Sequence, residues 1–184
     1  MLKPEMIKEK LLDYKAPRWE EFPSIELYMD QMIELLSAWL QPLYFDQNRP
    51  SITSSMINNY VKNSIVEPPH KKKYTAYHLA YLYVVMVLKQ CFTLQEISTL
   101  ITIYSSTASS QRTADHFNQF ATVFETLLHQ VMETGNPSES FFEDPTWQQT
   151  LMVDVIRAVC CRLYGVFQIY TFHYQNSQSA KSRN

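Results

Sequence analysis

Ser54, Ser55, Asn58, Asn59 and Lys62 stand where a short helix would turn them outward, and Lys71, Lys72, Lys73 and Tyr74 follow a proline pair a few residues later. Hydroxyls and amides donate and accept hydrogen bonds, so a row of them can match the edges of bases, asparagine with adenine above all. Adjacent lysines repel one another and suit phosphate oxygens, or simply solubilise a surface. The chemistry in reach is recognition of a polyanion, with a plain solvated surface as the alternative.

Charge separates these alternatives. From Arg49 to Lys89 there are six basic side chains against Glu67 alone, whereas the flanking segments are both acidic and the chain as a whole carries a formal charge of -2. Basic charge gathered into one stretch of an otherwise acidic chain is the electrostatic footprint of a nucleic-acid contact.

The elements that must position these residues follow from periodicity. A hydroxyl at Thr53, Ser54 or Ser55 caps a helix in which Met56, Ile57, Tyr60, Val61 and Ser64 share an inner face and Ser55, Asn58, Asn59, Lys62 and Asn63 an outer one. Pro68 and Pro69 end it, since proline lacks the N–H and fixes φ. Thr75 opens an apolar helix to about Gln90, and Thr93 with Glu96 forms a capping box for the next, to about Tyr104. Upstream, Pro23 and Ser24 start a helix to about Gln41 with Ile25, Tyr28, Met29, Met32, Leu35, Leu36, Trp39 and Leu40 on its apolar side. The rings of Tyr77, Tyr81 and Tyr83 read as core.

This segment resembles the MerR-type winged helix-turn-helix. That motif has an arginine-tyrosine-tyrosine triplet in its recognition helix, then Gly-Leu-Leu, a proline, a wing ending in tyrosine, and a Phe-Ser-Leu-x-x-Ile segment. Asn58, Asn59 and Tyr60 stand at the triplet, Ser64, Ile65 and Val66 at Gly-Leu-Leu, Pro68 at the proline and Tyr74 at the wing tyrosine. Phe92, Thr93, Leu94 and Ile97 match the last segment. With its MINNYVK string the stretch is similar to an uncharacterised bacterial domain-of-unknown-function family with a MerR-like helix-turn-helix. The resemblance implies a DNA-binding transcription factor. Asn58 replaces the arginine, Ser64 the glycine, and the link from Pro42 to Pro50 is longer than the usual turn.

The rest of the chain bounds the fold. Only 2 glycines occur in 184 residues, and 46% of the chain is hydrophobic. Long apolar periods with so little glycine predict an all-α helical bundle. Residues 1–22 read as an N-terminal arm helix beginning at Pro4, with Met6, Ile7, Leu11 and Leu12 as a weak stripe; residues 23–105 as the DNA-binding region; and residues 106–174 as a dimerisation or effector region. The last holds helices from Ser109 to Thr134 and from Thr146 to about Tyr174, the second apolar almost all round and expected in the middle of the bundle or against a second subunit. Residues 175–184 lack apolar period and read as disordered.

No 18-residue uncharged run and no leader-like N-terminus are present, so a cytoplasmic protein that does not enter membranes is expected. Cys91, Cys160 and Cys161 read as buried apolar residues in a reducing compartment. His70, His78, His116, His129 and His173 are scattered, with no H-E-x-x-H, phosphate loop or nucleophile elbow. Neither catalysis nor a metal or cofactor is expected. Three functions remain in view: a homodimeric reader of double-stranded DNA, a protein-interaction module that has lost DNA binding, and a sensor of a small apolar effector. The first and third can coexist.

Overall fold

The structure, a computed structural model, describes residues 2–45, 52–105, 110–137 and 140–181. Expectations resting on Arg49, on most of the Pro42–Pro50 link, on Ser109 as a helix start and on the last three residues lie outside the described residues. Seven α-helices are described: α1 (Pro4–Leu12), α2 (Met29–Leu40), α3 (Ser54–Lys62), α4 (Ala76–Leu88), α5 (Leu94–Ser105), α6 (Ser110–Thr134) and α7 (Trp147–Lys181). Extended pairing among the described residues is limited to the isolated bridges Leu27 to Tyr74 and His70 to Lys73. The all-α expectation holds.

The middle of the bundle is α4. Nine of its residues are buried, from His78 to Leu88, because AYHLAYLYVVMVL has no polar stripe to offer solvent. The Tyr83 hydroxyl lies 2.6 Å from that of Tyr14, which satisfies two buried phenols, and burial holds both well above the ordinary tyrosine pKa. Tyr77 and Tyr81 are half-buried. α7 is therefore not the central helix. It buries Ile156, Val159, Cys160 and Leu163 and turns Ala158, Cys161 and Arg162 to solvent.

α6 and α7 run in the same direction. The cavity-lining residues Phe117 and Phe120 of α6 sit across from Gln149 and Met152 of α7, and farther along the Cys160 thiol reaches the Phe124 carbonyl at 3.9 Å. Two parallel helices need a long return, and residues 135–146 supply it between Thr134 and Trp147. Gly135 begins it with φ 75, as a helix-ending glycine does. Thr146 and Gln149 then cap α7 reciprocally, at 2.9 and 3.3 Å.

The N-terminal segment is no arm. Ile7, Leu11 and Tyr14 are buried against the bundle, and only Met6 of the predicted stripe is exposed. The segment is fastened by Glu125 of α6, which accepts from Lys15 Nζ at 3.0 Å, Ala16 N at 3.1 Å and Arg18 Nη2 at 3.1 Å. Burial works to raise the Glu125 pKa, but these donors outweigh it and hold the carboxyl below its usual range. One core cluster runs from Ile7 to Phe167, so the boundary expected near residue 105 does not separate two cores.

Three further expectations need correction. The helix after Pro23 starts only at Met29, leaving Ile25 and Tyr28 at 70% and 56% exposed. Residues 24–28 are diverted because Leu27 pairs with Tyr74 through two backbone hydrogen bonds of 2.8 Å. The predicted tail is helical to Lys181, carried on from α7 by a sequence free of Pro and Gly from 166 onward. Of the cysteines only Cys160 is buried; Cys91 and Cys161 are exposed, because they stand at the end of α4 and on the outer side of α7.

Candidate nucleic-acid interface

α3 is capped by Thr53, whose hydroxyl accepts from Met56 N at 3.3 Å. Ile57 and Tyr60 anchor it in the core, and Lys89, at the end of α4, lies 5.7 Å from the centre of the Tyr60 ring. Met56 and Val61 are half-buried, and Ser54, Ser55, Asn58, Asn59, Lys62 and Asn63 are all exposed. The outer face thus holds every residue predicted for it. Within it the two asparagines differ. Asn63 Nδ2 donates to the Asn59 side-chain oxygen at 3.0 Å and to its carbonyl at 2.7 Å, whereas no described residue holds the Asn58 amide.

The end of α3 explains Ser64. Ser64 N donates to Val61 O at 3.0 Å and Ile65 N to Tyr60 O at 2.9 Å, which is the double bond pattern of a Schellman cap. Such a cap needs a left-handed residue, and Ser64 has φ 55. Ile65 and Val66 then plunge into the core, 4% and 2% exposed. Ser64 therefore occupies a glycine's conformation without being one, and Ser64 should have joined the inner face on helical period; the left-handed turn exposes it instead.

The lysine run forms a tight hairpin. Lys73 N donates to His70 O at 2.9 Å, and the two central residues, Lys71 and Lys72, both have positive φ, 48 and 64. Two consecutive left-handed residues define a type I′ turn, usually made by Asn-Gly because a side chain there costs energy. Lys71 and Lys72 stand exposed at the tip. Lys73 behaves differently: its Nζ is 3.6 Å from Glu26 Oε2, with both side chains about half exposed, so it is partly committed inside the molecule. Sequence reasoning missed Glu26 because it belongs to the diverted segment before α2.

Tyr74 was expected to contact DNA and does not face solvent. It is 3% exposed, its backbone is locked to Leu27, and its ring meets that of His78 edge-on at 5.3 Å. Burial raises its pKa. It positions the hairpin and cannot reach a ligand. Beneath it, Thr75 N donates to His78 Nδ1 at 3.0 Å, which caps α4 through a ring nitrogen that must be unprotonated. Burial accordingly lowers the His78 pKa, against the raising influence of the Pro68 carbonyl and of Glu67. No signal in the sequence marked His78 beyond its spacing of three from Thr75.

Among the described residues no group of three or more His, Cys, Asp or Glu could hold a metal ion. No described helix is long and apolar enough to cross a membrane. The class so defined is an all-helical protein with an exposed polar face on α3 that carries Lys62, and a hairpin tipped with two lysines. The chain belongs to the family described as a domain of unknown function, DUF1836, whose model matches residues 17–135, from the segment before α2 to the end of α6. No curated protein and no solved structure matches it.

Proposed function

We propose that the chain is a DNA-binding transcriptional regulator that sets the outer face of α3 against base edges in the major groove and Lys71 and Lys72 against phosphates. The observation that carries this is the hairpin tip: two lysines kept in the left-handed conformation, where glycine or asparagine would fold more easily, in the turn that follows an exposed helix face of hydroxyls and amides along the chain. Strain retained at a solvent-exposed position points to a role outside folding.

Several features support a MerR-like winged helix-turn-helix as the scaffold. Ser64 has the backbone that the motif's glycine supplies, Ile65 and Val66 are buried where the motif has two leucines, and Tyr74 closes the wing by pairing with the segment ahead of α2. The last matched segment opens α5 through the Thr93–Glu96 box, with Thr93 N donating to Glu96 at 2.7 Å. On this reading the protein works in the cytoplasm as a homodimer.

Fluorescence anisotropy on a short random-sequence duplex over a range of salt concentrations tests it. With each phosphate contact worth roughly 0.9 in the log-log salt slope, Lys71→Ala with Lys72→Ala should weaken binding to every sequence and lower the slope by about 1.8. Lys73→Ala should do less, because Glu26 already draws that charge. Binding and slope untouched by the double substitution would remove the DNA reading in favour of a protein-interaction module.

A further inference from the structure

A cavity of about 380 Å³ lies between α4, α5, α6 and the first turns of α7. It is about half open to solvent, and its volume falls within the roughly 300–1,000 Å³ typical of small-molecule sites. Val84, Ile101, Phe120 and Ile156 give it apolar walls. Of the polar side chains on the lining, Thr146 and Gln149 cap α7, which leaves Tyr81, Thr113, His116, Gln119 and Gln148 to fix an orientation, together with Tyr104, whose hydroxyl donates to the Gln148 carbonyl.

The charge of the lining is the selective feature. Among the described residues no Asp, Glu, Lys or Arg lines the cavity. An ionised ligand entering it would lose hydration and gain no partner charge, whereas a neutral body with one hydrogen-bonding group would lose little. His116 and Gln119, on the same helix and three apart, make no hydrogen bond with another described residue, so they are available to such a group.

We infer that this cavity binds an uncharged small molecule, with an apolar ring or branched aliphatic body against α4, α5 and α7 and a single hydrogen-bonding group at the His116–Gln119 side of α6. The site stands independently of the DNA reading, and a titration without DNA decides it. It also differs from the family match in extent, since the α7 wall lies beyond residue 135.

Two dyes that differ by one charged group give the test. N-phenyl-1-naphthylamine is neutral, and 1-anilinonaphthalene-8-sulfonate is the same skeleton with a sulfonate. The full chain should take up the neutral dye saturably, one per chain, with a blue-shifted emission, and bind the sulfonate at least ten-fold more weakly. Ile101→Trp should fill the cavity and weaken neutral-dye binding at least ten-fold while helix content and cooperative melting persist. Gln119→Trp, at a half-exposed position of α6, should do the same if the first variant folds poorly. Equal binding of both dyes, no saturable uptake, or uptake unchanged in a folded cavity-filling variant overturns the site. A chain that takes up the neutral dye but ignores duplex DNA keeps this site and loses only the DNA reading.

Discussion

Asn58 and Asn59 are adjacent residues of one type on one helix face, and their surroundings assign them different work. Asn59 already has its side-chain oxygen bound by Asn63, while the Asn58 amide has no partner among the described residues. A side chain whose donor and acceptor are both free can make the two bonds to adenine that discriminate by about 1–3 kcal/mol. Randomised-site selection should therefore show Asn58→Ala losing preference at one base position with nonspecific affinity kept. Asn59→Ala should leave the base profile nearly unchanged and cost about 0.5–1.5 kcal/mol of stability through the lost bond. A base profile altered by Asn59→Ala alone would reverse these roles. Spacing puts both on the outer face, but it does not show that the Asn59 side chain pairs with Asn63, four residues on. Tyr74 failed for a similar reason. Its type suggested a contact, while its environment, a bridge to Leu27 47 residues away in sequence, made it a strut.

Helical period, caps and breakers made most of the elements legible. Thr53, the Thr93–Glu96 box, Thr146 and Gly135 mark boundaries through side-chain or backbone chemistry carried within a few residues. What was not legible depends on distant partners. Residues 24–28 read as helix by pattern, but pairing with the hairpin pulled them into extended form. α1 looked too weakly apolar to be core until Glu125, more than a hundred residues later, gathered Lys15, Ala16 and Arg18. The cap of α3 offers a clean test of strain at this scale. A non-glycine residue in the left-handed region costs about 1–2 kcal/mol, so Ser64→Gly, an exposed site whose backbone bonds do not involve the hydroxyl, should stabilise the protein by about 1 kcal/mol. For a chain of this size that is roughly 2–4 °C in melting temperature. DNA affinity should hold, since the cap's geometry is preserved. A lower melting temperature would show that the Ser64 side chain makes a contribution the cap alone does not explain.

At the scale of the whole molecule, α4 ties the two ends together. Its first turn is capped beneath the lysine hairpin by His78, and one turn further on Tyr81 stacks on Tyr77 at 4.3 Å while lining the cavity. A helix buried almost all round can shift only as a unit with its neighbours, so a change in packing at the cavity wall is felt at the hairpin's base. The sequence suggested two regions meeting near residue 105, and the single core replaces that picture with one body in which surface and cavity share a helix.

α7 carries the remaining consequence of that single body. At 35 residues it spans about 52 Å, and past Phe167 one side still packs on the core through Tyr170 while the other exposes Ile169 and Phe172 at 60% and 61%. Large apolar side chains three apart on a helix cover one stretch of its surface, which suits a second copy of the same helix. The DNA reading needs such a copy, because one recognition helix per chain gains specificity by engaging two half-sites roughly 34–36 Å apart. Sedimentation should find a dimer at micromolar concentration. Ile169→Lys with Phe172→Lys should give a monomer of unchanged melting cooperativity, because neither side chain belongs to the buried core. That monomer should bind a single half-site duplex as the parent does and lose the added affinity for a duplex with two. A parent chain that sediments as a monomer would remove the palindromic site from the proposal, and a dimer that survives both lysines would move the interface off this end of α7.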